Sequence, residues 1–138
     1  MVTREEHETR QKFGDRYAED RTDVVRQIER AVIGSEWGVN GYTTVRQADL
    51  LAELLYLGPG MRLLDLGSGC GWPGLYLAAR TGCQAVLSDV PLEGLRRALA
   101  RADTEQVADR VTAVASSARA LPFQTASFDA VVHTDMLC

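Results

Sequence analysis

Residues 63–78, LLDLGSGCGWPGLYLA, contain the pattern best suited to bind a ligand. An apolar segment reaches Asp65, and Gly67, Gly69 and Gly71 follow before a second apolar segment begins. Glycine adopts positive φ without steric cost and leaves room for a ligand to approach the backbone. In open parallel sheets, ligands bind at the carboxyl ends of the strands. The segment therefore predicts a strand, a sharp turn and a helix that together hold a nucleotide-like molecule.

Two interpretations of this loop remain open. From Gly69 the sequence G-C-G-W-P-G fits the G-x-G-x-x-G pattern of dinucleotide sites, and Asp89 follows 20 residues later, near the expected ribose-binding acid. This interpretation would make the chain an NAD(P)-binding oxidoreductase. From Asp65 the pattern is D-x-G-x-G-x-G, in which the acid stands at the strand tip. An unpaired carboxylate is costly to bury inside a strand, whereas at the tip it can pair with a cationic ligand, so we favour the second interpretation.

The elements around this loop alternate between strand and helix. Apolar segments predict strands over residues 61–66, 84–89, 111–115 and 128–133. Helices are predicted over 73–80 and from Pro91 onward, with a short helix near 104–109. Strands that are apolar throughout and alternate with helices indicate a parallel sheet that is covered on both faces. The sequence therefore predicts an α/β fold.

The residues before position 60 predict helices. Residues 1–18 are polar and weakly periodic, which fits a frayed helix or an arm. Residues 20–33 predict a helix with five apolar side chains on one face: Val24, Val25, Ile28, Val32 and Ile33. Thr44 and Gln47 form a T-x-x-Q capping box that opens a helix over 45–57. Its inward residues are predicted to be Ala48, Leu51, Leu54 and Leu55.

Composition excludes several classes of function. The chain has 138 residues, of which 46% are hydrophobic and 25% charged, which suits one ordinary globular domain. Its net charge of −4 gives no reason to expect nucleic acid or an anionic membrane as a partner. The charged N-terminus contains no apolar signal segment, so we expect a cytoplasmic protein. Cys70, Cys83 and Cys138 lack metal-ligand spacing and are expected to be reduced thiols.

Three segments together resemble class I S-adenosylmethionine-dependent methyltransferases of the small-molecule type. They are LLDLGSGCGWPGLYLA, LSDVPLEGLRRA and ARALPFQTASFDAVVHTDML, and the resemblance covers roughly residues 40–138. It implies a Rossmann-like fold, S-adenosyl-L-methionine as cofactor, and methyl transfer to an unknown small molecule. On this basis we divide the chain into an N-terminal helical arm or lid, residues 1–43, and a partial cofactor-binding domain, residues 44–138.

The resemblance also implies roles for the residues around the glycine loop. Asp65 would orient the methionine amine of the cofactor, and Asp89 would accept hydrogen bonds from both ribose hydroxyls. Four loop residues would wrap the methionine and ribose portions: Gly67, Ser68, Gly69 and Gly71.

Residues after the other strands would complete the cofactor site. Val90 would pack on the adenine ring, Ser117 and Ala118 would meet the adenine edge, and His133 would offer its backbone carbonyl near the amine. The family often has aspartate where Ser117 stands, and this acid accepts a bond from the adenine amino group. Serine is shorter and uncharged, so losing that bond would weaken adenine binding by about 1 kcal/mol.

Less specific interpretations apply to some of these residues. Asp89 also fits an acid at the N-terminus of the helix that Pro91 opens, and Ser117 also fits an ordinary loop serine. His133 and Asp135 suggest a general acid–base pair, but a structural role is more common for a histidine at a strand end. Three aromatic residues suggest a cavity around a sulfonium, although packing is the favoured interpretation for each: Tyr17, Trp37 and Tyr42.

The complete fold of the resembling family continues beyond its fourth strand. This sequence accounts for the first four strands, in the expected spatial order 3-2-1-4, so we expect a fold truncated after strand four. The alternative to an enzyme is a non-catalytic cofactor-binding module or relic completed by a partner chain. Strand four, FDAVVH, would then be an apolar edge without proline or lysine, and such edges favour self-association or pairing with a complementing chain.

Overall fold

Four parallel strands form the sheet of this protein in a computed structural model, which describes residues 3–39 and 41–136. They are β1 (Arg62–Leu66), β2 (Gln84–Asp89), β3 (Val111–Ala115) and β4 (Ala130–His133). Their order across the sheet is β3-β2-β1-β4, which confirms the predicted order. In the register, Asp65 of β1 lies beside Leu87 of β2 and Val132 of β4. Each strand boundary agrees with the sequence to within two residues.

Within the described ranges, five α-helices accompany the sheet. They are α1 (Arg4–Ala18), α2 (Asp23–Ile33), α3 (Val45–Leu54), α4 (Gly74–Thr81) and α5 (Leu92–Thr104), and a 3-10 turn covers Ala108–Arg110. The predicted capping box of α3 is confirmed, because the Thr44 amide donates to Gln47 at 2.8 Å and the Gln47 amide donates to the Thr44 hydroxyl. Gly34 ends α2 in the left-handed conformation, with φ of 94°, as expected of a helix stop.

Helix α1 is more regular than the sequence analysis predicted. Thr3 and Glu6 form a second capping box, in which the Thr3 hydroxyl accepts the Glu6 amide and the Glu6 carboxylate accepts the Thr3 amide at 2.9 Å. The helix then runs for 15 residues and packs on α5. Residues 3–18 are therefore a capped helix rather than a frayed one.

The apolar face of α2 lies mostly at the surface. Four of its apolar side chains are 41–63% exposed, and Ile33 alone of the five is buried. Glu29, next to Ile33 on the helix surface, is 5% exposed and accepts hydrogen bonds from the amides of Trp37 and Val39. The inward side of α2 is therefore held by Glu29 and Ile33, and most of its apolar stripe lies outward. Leu54 of α3 is also exposed, contrary to prediction, whereas Leu51 and Leu55 pack against the core.

The core that supports the loop lies where α3, α4 and α5 meet the sheet. Leu63, Leu75 and Leu87 are fully buried there, together with Ala98 of α5. On β4, Val132 is buried while Val131 is 51% exposed. Within residues 3–39 and 41–136, no helix combines the length and apolar character needed to cross a membrane.

Candidate cofactor-binding site

The glycine loop turns directly from β1 toward α4. Gly67, Gly69 and Gly71 have φ of 69°, 52° and 98°, so each occupies the left-handed region that the glycine pattern predicted. The amides of Gly67 and Ser68 both donate to the carbonyl oxygen of Ser88, at 2.8 and 3.2 Å. These bonds fasten the loop to the carboxyl end of β2. A Cβ atom on Gly67 would lie 2.5 Å from the Met136 sulfur, so the loop accepts no side chain there.

Asp89 stands at the end of β2 with its carboxylate held against the loop. Its Oδ2 accepts the Gly69 amide at 2.6 Å, and its Oδ1 accepts the Val90 amide at 2.7 Å. Burial raises the pKa of Asp89, and the two backbone donors oppose this rise. A carboxylate oxygen can accept two hydrogen bonds. Asp89 is therefore fixed in orientation and keeps acceptor capacity toward a ligand beside the loop.

Asp65 lies deeper than its predicted role suggested. It is fully buried on β1, and its Oδ2 accepts the Gly74 amide at 2.8 Å at the start of α4. Burial raises the pKa of Asp65 well above its usual range, while the bond from Gly74 lowers it and the Asp89 charge raises it further. Among the described residues, its Oδ1 has no hydrogen-bond partner. The contact of Asp65 with the methionine amine of the cofactor stays a prediction, and its Oδ1 could accept a hydrogen bond from that amine.

Ser68 provides a second unpaired polar atom in the loop. The residue is 2% exposed, and within the described part of the chain its hydroxyl makes no hydrogen bond. Buried polar atoms in folded proteins almost always have a partner. The unpaired oxygens of Asp65 and Ser68, together with the side-chain-free path of the glycines, fit a polar ligand bound along this loop.

The loop after β3 contacts helix α1. The Ser117 hydroxyl accepts the Arg119 amide at 3.2 Å. Arg119 also pairs with Glu5 at 2.9 Å. Ala118 is exposed in the same turn. The two residues predicted at the adenine edge thus lie beside the first turn of α1, which sequence reasoning had not connected with them.

The turn after β4 closes the other end of the site. His133 lies opposite Leu66 in the register, so its backbone is at the carboxyl edge of the sheet where the predicted carbonyl contact requires it. The next acid, Asp135, accepts hydrogen bonds from the Thr43 amide at 3.1 Å and the Thr43 hydroxyl at 2.9 Å. This contact ties the segment before α3 to the strand end.

Side chains from outside the loop cover the glycines. Besides Met136, the Tyr17 hydroxyl would lie 3.0 Å from a Cβ on Gly69. The cavity left at the loop is about 80 Å³, whereas small-molecule sites usually have about 300 Å³ or more. A neighbouring cavity of about 470 Å³ between α1 and α5 shares Tyr17, Gly38 and Cys70 with it. The small cavity at the loop and the larger cavity are therefore lined by these three residues in common.

The aromatic residues considered for a sulfonium cavity separate in the structure. Trp37 is 7% exposed and packs against Trp72 and Tyr76, with ring centroids 5.9 and 5.8 Å apart. Its ring also lies 4.5 Å from the Arg101 guanidinium. Tyr42 is 79% exposed. Of the three, only Tyr17 lies against the glycine loop, so Trp37 serves packing.

Some contacts at the site were not predicted from the sequence. The T-x-x-E sequence at Thr3 and Glu6 was a visible signal for the start of α1. Glu29 carried no such signal, because the amides it binds are eight and ten residues further along the chain. Burial raises the pKa values of the Cys70 and Cys83 thiols, and Cys138 lies outside the described residues.

Comparison with known proteins identifies the family. The sequence profile of the methyltransferase domain family matches residues 63–138, more than half of the chain. The chain belongs to this family. The matched segment of the methyltransferase domain begins at β1 and includes the glycine loop, Asp89 and the turn after β3. The resemblance found in the sequence is therefore confirmed.

Individual relatives support the same fold. The 27-O-demethylrifamycin SV methyltransferase of Amycolatopsis mediterranei is 38% identical over 88 residues, which cover 64% of this chain and 32% of that protein. A solved methyltransferase from Geobacter sulfurreducens, in complex with S-adenosyl-L-homocysteine, is 34% identical with a TM-score of 0.53, over 58% of this chain and 32% of that one.

A third comparison covers almost the whole chain. The geranyl diphosphate C-methyltransferase of Streptomyces coelicolor has a TM-score of 0.72 over 96% of this chain and 54% of its own. Its identity of 17% supports the fold alone. The predicted Rossmann-like methyltransferase fold is confirmed. The chain spans between 22% and 33% of the length of the curated relatives it matches.

Proposed function

We propose that this chain binds S-adenosylmethionine along its glycine loop and contributes the cofactor site of a methyltransferase acting on a small molecule. The observation that carries the proposal is the Asp89 carboxylate, which is fixed against the Gly69 amide at the carboxyl end of β2. Membership of the methyltransferase domain family supports it. So does the Geobacter relative, which holds S-adenosyl-L-homocysteine.

The residues of the chain would bind and orient the cofactor. Asp89 keeps acceptor capacity for the two ribose hydroxyls, and the unpaired oxygens of Asp65 and Ser68 suit the methionine end. Val90 and Ala118 are proposed to contact adenine, as the family resemblance implies. His133 is proposed to accept from the amine through its backbone carbonyl.

In the proposed chemistry, the protein's side chains mainly position the reactants. S-adenosylmethionine, when bound, supplies a methyl group already activated by a sulfonium. Holding two reactants in attack geometry can account for roughly 7–11 kcal/mol of a barrier. The rigid anchoring of the loop to β2 and of Asp89 to the loop provides such positioning. Tyr17 and the segment that Thr43 fastens to Asp135 cover the site and would exclude water.

The proposal includes a partner at strand β4. β4 is the last strand on its side of the described sheet, and Val131 is half exposed on it. A further polypeptide segment, either from a second copy or from a complementing chain, is proposed to pair with this strand. The greater length of the relatives supports a larger assembly around the same cofactor site.

Titration calorimetry tests the cofactor proposal. We expect S-adenosylhomocysteine to bind near one equivalent per chain, and NAD to bind far more weakly. Asp89→Asn should weaken S-adenosylhomocysteine binding about tenfold or more, because charge-assisted hydrogen bonds to two hydroxyls are lost. Asp103→Asn, an exposed acid on α5, is the matched control and should bind as the wild type does. Stronger binding of NAD than of S-adenosylhomocysteine would contradict the proposal and favour an oxidoreductase.

A further inference from the structure

The cavity between α1 and α5 has the size of a binding site in its own right. Its volume of about 470 Å³ lies within the roughly 300–1,000 Å³ usual for small-molecule sites. Arginines of the described residues supply much of its lining: Arg16, Arg21, Arg26, Arg97 and Arg101. Acids line it as well: Glu19, Asp20, Glu36 and Glu105. The pairing of these charges decides what the cavity can bind.

The acids hold the cavity's arginines only weakly. Glu36 pairs with Arg30, which lies outside the lining. The fully exposed Asp20 is 3.5 Å from Arg97, and the partly exposed Glu105 is 3.4 Å from Arg101. Ion pairs of this kind contribute little, because water screens them. An anion that enters the cavity can therefore replace these acids at the two arginines.

Arg97 and Arg101 keep hydrogen-bond donors that the protein does not use. They stand four residues apart on α5, so their side chains lie on the same side of the helix. Arg97 donates to the Ala18 carbonyl at 2.7 Å through one terminal nitrogen. The Arg101 guanidinium lies 4.5 Å from the Trp37 ring, and among the described residues its buried Nε has no hydrogen-bond partner. A guanidinium has five N–H donors, and buried polar atoms almost always have a partner.

We propose that this cavity binds a small organic anion whose carboxylate or phosphate group accepts hydrogen bonds from Arg97 and Arg101. The planar fork of a guanidinium matches the geometry of both groups. The apolar part of the ligand would lie against Trp37 and Ala100, which also line the cavity. Asp89 does not line it, so this anion site is distinct from the proposed cofactor site and adjoins it only through the residues that the two cavities share.

Calorimetric titration with three probes of similar size tests the anion site. Benzoate carries a carboxylate, phenyl phosphate carries a phosphate, and benzamide is the neutral counterpart of benzoate. The proteins are the wild type, Arg97→Gln, Arg101→Gln and Arg101→Lys. Arg96→Gln is the matched control, because Arg96 is an exposed arginine on the same helix that does not line the cavity.

The wild type should bind at least one anion with a Kd of about 1 mM, and the tighter probe identifies the acidic group that the site prefers. Arg97→Gln and Arg101→Gln should each weaken this binding roughly tenfold, and Arg96→Gln should not change it. Arg101→Lys keeps the charge without the planar fork, so its affinity should fall between those of the wild type and Arg101→Gln. This variant also tests the site if Arg101→Gln, which loses the contact with Trp37, does not fold.

Three results would overturn the inference: no binding of either anion, benzamide binding as tightly as benzoate, or an equal loss in Arg96→Gln. Titration of the same proteins with S-adenosylhomocysteine separates the anion site from the proposed function. A wild type that binds an anion at these arginines but not S-adenosylhomocysteine would refute the proposed function and support the anion site. The reverse result would overturn the anion site alone.

Discussion

Replacement of Glu29 tests how the segment next to the site is held. The carboxylate of Glu29 is buried and accepts the Trp37 amide at 2.7 Å and the Val39 amide at 3.0 Å through Oε1. Its Oε2 pairs with Arg21, whose guanidinium also donates to the Val39 carbonyl at 2.7 Å. The segment fixed in this way includes Gly38, where an added Cβ would lie 3.4 Å from Cys70 of the glycine loop.

The magnitude follows from the groups that would lose partners. Glu29→Ala would leave two backbone amides unsatisfied, each costing about 1–3 kcal/mol if it stays buried. Removing one member of a buried ion pair costs about 3–5 kcal/mol, but Arg21 is 24% exposed and water can solvate much of its charge. We therefore expect Glu29→Ala to lower the free energy of unfolding by about 3 kcal/mol. Glu29→Gln keeps an oxygen for both amides and should lower it by about 1–2 kcal/mol.

Urea denaturation monitored by tryptophan fluorescence measures this effect. The chain has two tryptophans, and both lie in one aromatic cluster with Tyr76, next to the Glu29 contacts. The control is Glu36→Ala, which breaks a surface ion pair with Arg30. The Arg30 side chain is 52% exposed, so this substitution should lower the free energy of unfolding by less than about 1 kcal/mol. A free energy of unfolding for Glu29→Ala within about 0.5 kcal/mol of the wild-type value would refute the reasoning, because ordinary surface substitutions have effects of that size.

Two further predictions concern the junction of β1 and α4. Burial raises the pKa of Asp65 above 3.8, so the folded protein keeps a proton that the unfolded chain releases as pH rises, and stability declines through that window. The free energy of unfolding of Asp65→Asn, measured by urea denaturation, should therefore increase relative to that of the wild type as the pH rises above about 4; a constant difference would contradict the raised pKa. A Cβ on Gly74 would lie 2.5 Å from Leu87 and 2.7 Å from the Asp65 carboxylate, so Gly74→Ala should lose about 1–3 kcal/mol through overpacking. Gly58→Ala, where nothing lies within 4 Å of an added Cβ, is its control, and equal stability of the two variants would show that the core relaxes around the methyl group.

The strands and the glycine loop could be predicted because their signals are local. Apolar segments marked each strand, and the glycines at 67, 69 and 71 permit the left-handed conformations that they adopt. The capping box at Thr44 and Gln47 likewise depends on two residues three positions apart. In such cases the physical interaction and the sequence pattern cover the same short stretch of chain.

The orientation of α2 could not be predicted because it depends on contacts with residues outside the helix. Helical periodicity showed which side of α2 is apolar, but it could not show which side the rest of the protein contacts. Glu29 decided this through amides in the next segment, and a buried carboxylate with three donors can outweigh the burial of an apolar stripe. The exposed side chains of Val25, Ile28 and Val32 are the result.

The candidate site also has one part that local sequence patterns predict and one part that they do not. The family profile begins at residue 63 and covers the loop, Asp89 and the turn after β3. The segment before it, which we predicted to be an arm or lid, contributes polar groups from Glu5, Tyr17 and Thr43 to the loops around the same site. These contacts join residues far apart in the sequence, so no local pattern could reveal them. Because the strand ends supply the general features of a cofactor site, features particular to this chain are expected to lie in that preceding segment.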